Sequence, residues 1–260
     1  MTYISYRAGT GKSKPNTVFN KESQCPFCNR DSLRKENGII SETDDFMIIK
    51  NKYPVLENTY PTVLIEHKNC GQHIGTYSIP YLTKLLSFAL DHYHSLAKDP
   101  QFSSVAFFKN HGAFSGASIN HSHMQVIGIK DKDYRGNLNK SDLEGLTIYA
   151  DETFTWNIST KPRNEFFEFN LILKDLNRLD ILAIHLQETV NYILNTLNTK
   201  FESFNLAFYI TENEIAIKVL SRGPTSVLLL GFGIKQLPNN LEQIVYDLNN
   251  DIQSKNYENK

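Results

Sequence analysis

Cysteine is scarce. The chain of 260 residues has only Cys25, Cys28 and Cys70, too few, and odd in number, for the disulfide framework that staples small secreted domains. Net charge is nearly absent as well: 27 Lys and Arg stand against 28 Asp and Glu. No long-range field gathers nucleic acid or an anionic membrane, so any phosphate must be recognised by local geometry. Long apolar runs are missing too. The longest, Val227 to Ile234, is interrupted by glycine and falls far short of the roughly 20 residues a membrane helix needs. Met1-Thr2-Tyr3-Ile4-Ser5-Tyr6-Arg7 has no apolar signal region. The expectation is a cytoplasmic protein with neither nucleic acid nor membrane as partner. What is present is 40% apolar and 12% aromatic residues, enough for a substantial core in one large domain or two small ones.

Residues Arg7 to Pro15 are polar and rich in glycine and lysine, and read as an extended lead-in. Gly9-Thr10-Gly11-Lys12-Ser13 imitates the end of a phosphate-binding P-loop, but the motif's first glycine falls on Tyr6 and no buried strand precedes it. Phe46 to Lys50 and Thr62 to Glu66 are short, apolar and β-branched, and predict strands. Ser78-Ile79-Pro80 opens a helix whose Leu82, Leu85, Leu86, Ala89 and Leu96 recur at helical spacing up to Asp99-Pro100. Strands follow at Ser104 to Phe108 and His121 to Ile129.

The second half shows a similar order: strands at Phe154 to Ser159 and Phe166 to Leu173, a helix from Arg178 to Leu197, then Phe204 to Ile210, Ile215 to Leu220 and Val227 to Ile234. A last helix follows Pro238. The pattern predicts an α+β protein of two related halves, 1–140 and 141–260, each with antiparallel sheet and one long helix, meeting in the polar stretch Lys130 to Glu144.

The chemistry lies between Asn110 and Gln125. On a strand, His121, His123 and Gln125 project from one face while Ser122, Met124 and Val126 take the other. The loop before them, with Gly112, Ser115, Gly116 and Ser118, lets backbone N–H groups approach an anion closely. A half-buried strand with internally satisfied histidines is the bland alternative, but two histidines and a glutamine on one face after such a loop favour a phosphate pocket edged by imidazoles. Cys25-Pro26-Phe27-Cys28 is a metal-binding or redox pair; no βαβ unit surrounds it, which favours zinc. His92, His94 and His185 have no partner at ligand spacing.

Asn110, Gly112, Gly116, Ser118, His121, His123 and Gln125 fall without a gap on N-x-G-x-x-x-G-x-S-x-x-H-P-H-x-Q. They resemble the histidine-triad superfamily in its branch of galactose-1-phosphate uridylyltransferase, dinucleoside polyphosphate phosphorylase and ADP-glucose phosphorylase. Ser122 departs from the pattern, where the uridylyltransferases have proline. Asn51-Lys52-Tyr53-Pro54 resembles the N-x-x-P segment of the nucleotide pocket, and Leu229-Leu230-Gly231-Phe232 a strand near the family's C-terminus. The length suits an uncharacterised bacterial branch, so fold carries over better than activity.

The resemblance implies a histidine-triad-like fold and a nucleotidyltransferase or nucleotide phosphorylase in which His123 forms a nucleotidyl intermediate. A backbone carbonyl, that of His121, is expected to fix its tautomer. Gln125 stands where hydrolytic members have a third histidine; an amide cannot protonate a leaving group, which favours transfer between phosphate-type groups. Asn110, Gly116, Ser118 and Asn51 are the implied substrate contacts, and a nucleotide or nucleotide sugar with a phosphate-type acceptor the implied partners. A homodimer is the assembly considered. Structural zinc is implied on Cys25, Cys28 and His121, with His73 as fourth ligand, His67 as the alternative and Cys70 third. Lys218 and Arg222 are the second half's obvious cations for an acceptor phosphate. A nucleotide sensor without turnover and a nucleotide hydrolase are the rival functions; base, acceptor and direction stay open.

Overall fold

The computed structural model describes residues 4–20, 22, 24–36, 38–164, 166–197, 200–225, 228–229 and 238–258. Ten strands form one sheet: β1 (Ile39–Glu42), β2 (Met47–Lys50), β3 (Thr59–Ile65), β4 (Ser104–His111), β5 (His123–Ile129), β6 (Gly145–Ala150), β7 (Phe154–Ser159), β8 (Glu168–Leu173), β9 (Phe204–Ile210) and β10 (Ile215–Ser221). The order is β1-β2-β3-β5-β4-β9-β10-β8-β7-β6, and every ladder is antiparallel. Outward from the central β4–β9 seam, each side runs fourth, fifth, third, second, first in its own chain order, so the α+β fold consists of two pseudo-repeated halves in one continuous sheet. At the seam Phe107 stacks on Phe208, ring centroids 3.8 Å apart.

The α-helices among the described residues are α1 (Ala8–Lys12), α2 (Arg30–Glu36), α3 (Ile79–Ala97), α4 (Leu179–Tyr192) and α5 (Leu241–Glu258). The Ser78 hydroxyl caps α3 by accepting from the Tyr81 N–H, and Pro80 occupies its first turn, where a missing N–H costs nothing. Leu82, Leu85, Leu86, Ala89, Tyr93 and Leu96 bury one face of α3, and this face joins α4 and the strand residues Ile48, Leu64, Met124 and Val126 in the main core. Each fully buried leucine contributes about 1.5–3 kcal/mol. The alternate strand residues Met47, Ile49, Val63 and Ile65 face the other way and are covered by Phe27 and Leu33. The segment with the cysteine pair is thus pinned across the sheet face opposite α3.

Several expectations change. The lead-in contains the short helix α1, and β1 and β6, strands at the sheet's two edges, join those read from the sequence. Ordered pairing in β5 starts at His123, two residues after His121. The α-helix expected from Arg178 to Leu197 ends at Tyr192 and continues as a π-helical turn, Ile193–Leu197. Of the strand expected from Val227 to Ile234, Val227 and Leu230 to Ile234 lie outside the described residues, as does much of the Leu229-to-Phe232 motif.

His92 on α3 has no ligand role. Its Nε2 donates to the Thr62 hydroxyl at 2.8 Å, which in turn donates to the Val126 carbonyl at 2.7 Å. Burial lowers the His92 pKa, so the unfolded chain binds the extra proton first; the associated stability is present above the unfolded pKa of about 6.5 and is lost as pH falls toward the folded value. Urea midpoints should therefore decline from pH 7.5 to 5.5, and the decline should be shallower in His92→Gln, by at most about 1.4 kcal/mol per pH unit. Equal slopes would show that His92 does not contribute.

Candidate active site

The glycine loop begins where β4 ends. Gly112 has φ of 81° and a Cβ there would lie 2.3 Å from the Glu202 carbonyl oxygen, so only glycine lets the loop pass. A short 3-10 turn, Ala113–Ser115, leads to Gly116 in the left-handed region. The Ser115 hydroxyl donates to the Gly112 carbonyl at 2.7 Å and accepts from the Ala117 N–H at 3.2 Å. The second half braces the loop: the Asn205 amide donates to Asn110 Oδ1 at 2.7 Å and to the Ser115 carbonyl at 3.0 Å, and Ser203 Oγ accepts from the Phe114 N–H at 3.2 Å.

Beyond the loop, His123 Nδ1 lies 2.8 Å from the His121 carbonyl oxygen. A carbonyl only accepts, so Nδ1 carries the proton and Nε2 keeps the lone pair. Burial pushes the imidazole down to about 4, which leaves it neutral near pH 7. Phe27 meets both His121 and His123 edge-on, with ring centroids at 5.9 and 5.4 Å, and limits their rotation. His123 lines a cavity of about 260 Å³ together with Gln125, Ser118, Asn51, Phe27 and Lys14. Asn110 and Gly116 do not line it: Asn110 supports the loop through Asn205, and Gly116 supplies the turn.

A second cluster adjoins the cavity through Cys25. The thiols of Cys25, Cys28 and Cys70 and the imidazole of His121 place their ligand atoms within 4.8 Å of one another. His121 Nδ1 is 3.5, 3.6 and 3.3 Å from the three sulfurs in that order, and Cys28 Sγ is 3.2 Å from Cys70 Sγ. Tetrahedral zinc, with bonds of about 2.3 Å to sulfur and 2.0 Å to nitrogen, separates its ligand atoms by about 3.5–3.8 Å. His121 Nε2 donates to the His67 carbonyl at 2.8 Å, leaving the Nδ1 lone pair toward the sulfurs, the tautomer that a metal-bound imidazole requires. Burial, and then the neighbouring sulfurs, raise the Cys70 pKa, so without a cation beside it this thiol keeps its proton. The donor set fits zinc in a closed, structural site.

His73, the expected fourth ligand, lies outside this cluster, and Cys70 stands there instead. Cys70 lies on the turn at 70–71, whereas His73 caps the following 3-10 turn, Ile74–Thr76. His73 Nδ1 accepts from the Gly75 N–H at 3.2 Å, and its ring lies 5.2 Å from that of His111. His67 contributes only its carbonyl. Lys218 is corrected too. It is buried against Glu168 at 3.2 Å, Asn170 and the Asp142 carbonyl and is committed to the core.

The sequence reading missed Lys14. The Thr17 N–H donates to the Ser118 carbonyl at 2.8 Å and the Asn120 N–H to Thr17 Oγ1 at 2.9 Å, and this docks the N-terminal segment on the glycine loop. Lys14 then lines the cavity half-buried, its pKa lowered by burial. Among the described residues no carboxylate pairs with it. The cavity's other lysine, Lys52, lies 3.2 Å from Glu36.

The fold is shared with a phosphorylase and a uridylyltransferase of known structure. An ADP-glucose phosphorylase from Arabidopsis thaliana, solved with bound ADP-glucose, superposes with a TM-score of 0.68 at 17% identity, over 92% of this chain and 92% of that one. A uridylyltransferase superposes with the same score at 12% identity, over 90% and 92%. The chain belongs to the DUF4931 family: its N-terminal domain of unknown function matches residues 6–132 and its C-terminal one residues 135–253. A DUF4931 protein from Bacillus cereus ATCC 10987 is 38% identical, with a TM-score of 0.74 over 81% of this chain and 97% of that one. No curated protein sequence matches the chain.

The purified protein should contain close to one zinc per chain. By elemental analysis Cys70→Ser should lose it as Cys25→Ser and Cys28→Ser do, with a fall in Tm because metal binding and folding are coupled. His73→Ala should keep it. Zinc kept by Cys70→Ser and lost by His73→Ala would restore the histidine as ligand.

Proposed function

We propose that the protein is a nucleotidyltransferase or nucleotide phosphorylase that passes a nucleoside monophosphate through a covalent nucleotidyl-His123 intermediate to a phosphate-type acceptor. The observation that carries this reading is the His123 Nδ1 hydrogen bond to the His121 carbonyl, which leaves Nε2 as the ring's lone pair in a cavity shared with Ser118, Gln125 and Lys14. Nε2 attacks the α-phosphorus; a P–N bond forms as the P–O bond to the leaving phosphate or sugar phosphate breaks, and that group departs with the electron pair as an anion. An acceptor phosphate oxygen then attacks phosphorus, the P–N bond breaks, and its electrons return to Nε2.

Each side chain has a defined part in this scheme. The Gln125 amide donates to a phosphoryl oxygen but supplies no proton, which suits phosphate leaving groups that depart as anions. Ser118 and the loop N–H groups hold non-bridging oxygens, Asn51 lies on the nucleoside side, and Lys14 offsets phosphate charge. Zinc, when bound to Cys25, Cys28, Cys70 and His121, supplies structural cross-linking. Residues 1–140 carry the chemistry and residues 141–260 brace the loop through Ser203 and Asn205. The ADP-glucose bound to the Arabidopsis phosphorylase of this fold supports a nucleotide sugar as substrate class.

The test is intact-mass spectrometry after mixing the protein with UDP-glucose, ADP-glucose or diadenosine tetraphosphate. A UMP or AMP adduct should form on the wild type and be absent from His123→Ala. Tight binding without an adduct would make the protein a sensor, and wild-type turnover by His123→Ala would end the covalent scheme. Lys14→Ala should weaken nucleotide binding roughly tenfold, the worth of a charge-assisted hydrogen bond, while exposed Lys12→Ala leaves titration calorimetry unchanged. Equal affinities for both would remove Lys14 from the site.

A further inference from the structure

Behind His121 and His123, on the side of the sheet that faces α3, lies a buried polar cluster that the transfer scheme does not use. Lys109 of β4 and Glu66, just past β3, both have 0% exposure and form an ion pair. Lys109 Nζ also donates to Ser122 Oγ at 2.8 Å and to the His123 carbonyl at 3.2 Å. The second Glu66 oxygen accepts from the Ser122 hydroxyl at 2.9 Å and from the Tyr77 hydroxyl at 3.1 Å. The ammonium has three acceptors, and the serine hydroxyl both gives and takes one hydrogen bond, so the cluster is closed and directional.

Stability alone is a poor reason for such a pair, because desolvation of two buried charges offsets most of their attraction. Its position suggests another. The β4–β5 ladder runs from Ser104↔Ile129 only to Phe108↔Gln125, and the last residues of β4 pair with β9 instead. On that side the chain leading into His123 has left the ladder, and Lys109 reaches across to the His123 carbonyl. On the other side the Glu66 N–H donates to the Ser122 carbonyl at 3.2 Å. Glu66 and Lys109 therefore grip Ser122 and His123 from both flanking strands.

We propose that Lys109, Glu66 and Ser122 are positioning residues that clamp the peptide carrying His123, keeping Nδ1 on the His121 carbonyl and Nε2 in the cavity. The proposal rests on His123 being the nucleophile. It also accounts for serine between the two histidines: a proline at Ser122 could neither accept from Lys109 nor donate to Glu66, so the hydroxyl and the buried pair depend on each other.

The test compares wild type with Ser122→Ala, Ser122→Thr and the double variant Lys109→Met/Glu66→Gln. The double variant removes both charges, since Lys109→Met alone strands a carboxylate in the core and can unfold the chain. Adduct formation from UDP-glucose or ADP-glucose should slow roughly 10- to 100-fold in Ser122→Ala and the double variant. Kd for UMP or AMP should stay within about threefold, zinc content should be unchanged, and Ser122→Thr should recover most of the rate. Nitrogen-15 spectra of the imidazoles at pH 7.5 should show His123 as a single Nδ1–H tautomer in wild type and as a mixture in the impaired variants. Wild-type rates with the single tautomer retained, or joint loss of rate, binding and zinc, would overturn the clamp. If the wild type forms no adduct, the transfer scheme fails and the tautomer spectra alone decide on the clamp.

Discussion

One residue, His121, connects the sulfur cluster of Cys25, Cys28 and Cys70 to the His123 imidazole through three separate contacts. Its Nδ1 faces the three sulfurs, its Nε2–H is held by the His67 carbonyl, and its own carbonyl receives the His123 Nδ1–H. Because the ring is committed on both nitrogens, neither the ring nor the attached peptide can turn without breaking a contact. The tautomer of His123 is therefore set by a backbone oxygen whose position is anchored elsewhere, the arrangement that lets an imidazole act as a nucleophile without a separate base. The two histidines stand two residues apart in different surroundings: the Nδ1 lone pair of His121 faces three sulfurs, while His123 lines the cavity.

The antiparallel sheet brings the rest together. Cys25 and Phe27 lie across one face of β2, β3 and β5, while Lys109, Glu66 and Ser122 sit on the other, so the short stretch from His121 to His123 is held from both faces. The second half contributes no cavity-lining residue among the described residues. It acts through β9, whose Asn205 and the adjoining Ser203 hold the glycine loop at the seam. A loop with so few side chains of its own needs such support to present N–H groups in a fixed array.

Much of this was legible in the sequence, for physical reasons. Strand alternation alone puts His121, His123 and Gln125 on one face, and the serine-proline start of α3 is a local signal that tertiary contacts did not override. Membership of the sulfur cluster was not local. Whether Cys70 or His73 reaches the sulfurs depends on how tightly the chain turns after Glu66, which residue spacing does not encode, although three cysteines that all find one cluster leave no odd thiol behind. Lys14 carried no signal, since its role comes from docking of the N-terminal segment on a loop about a hundred residues away. Lys218 misled because lysine is rarely buried; here Glu168 and Asn170 make an exception. The edge strands β1 and β6 escaped notice because their exposed positions dilute the apolar pattern.

The central claim is geometric: the unprotonated Nε2 of His123 is the atom that meets the α-phosphorus. A crystal structure of the zinc-loaded protein with a nucleotide sugar analogue whose bond to the leaving group cannot break measures this directly. The account predicts the α-phosphorus about 3–3.5 Å from Nε2 with the leaving oxygen in line behind it, and Nδ1 still on the His121 carbonyl. An α-phosphorus bound away from Nε2, or a His123 ring turned so that Nε2 hydrogen-bonds to protein, would contradict it.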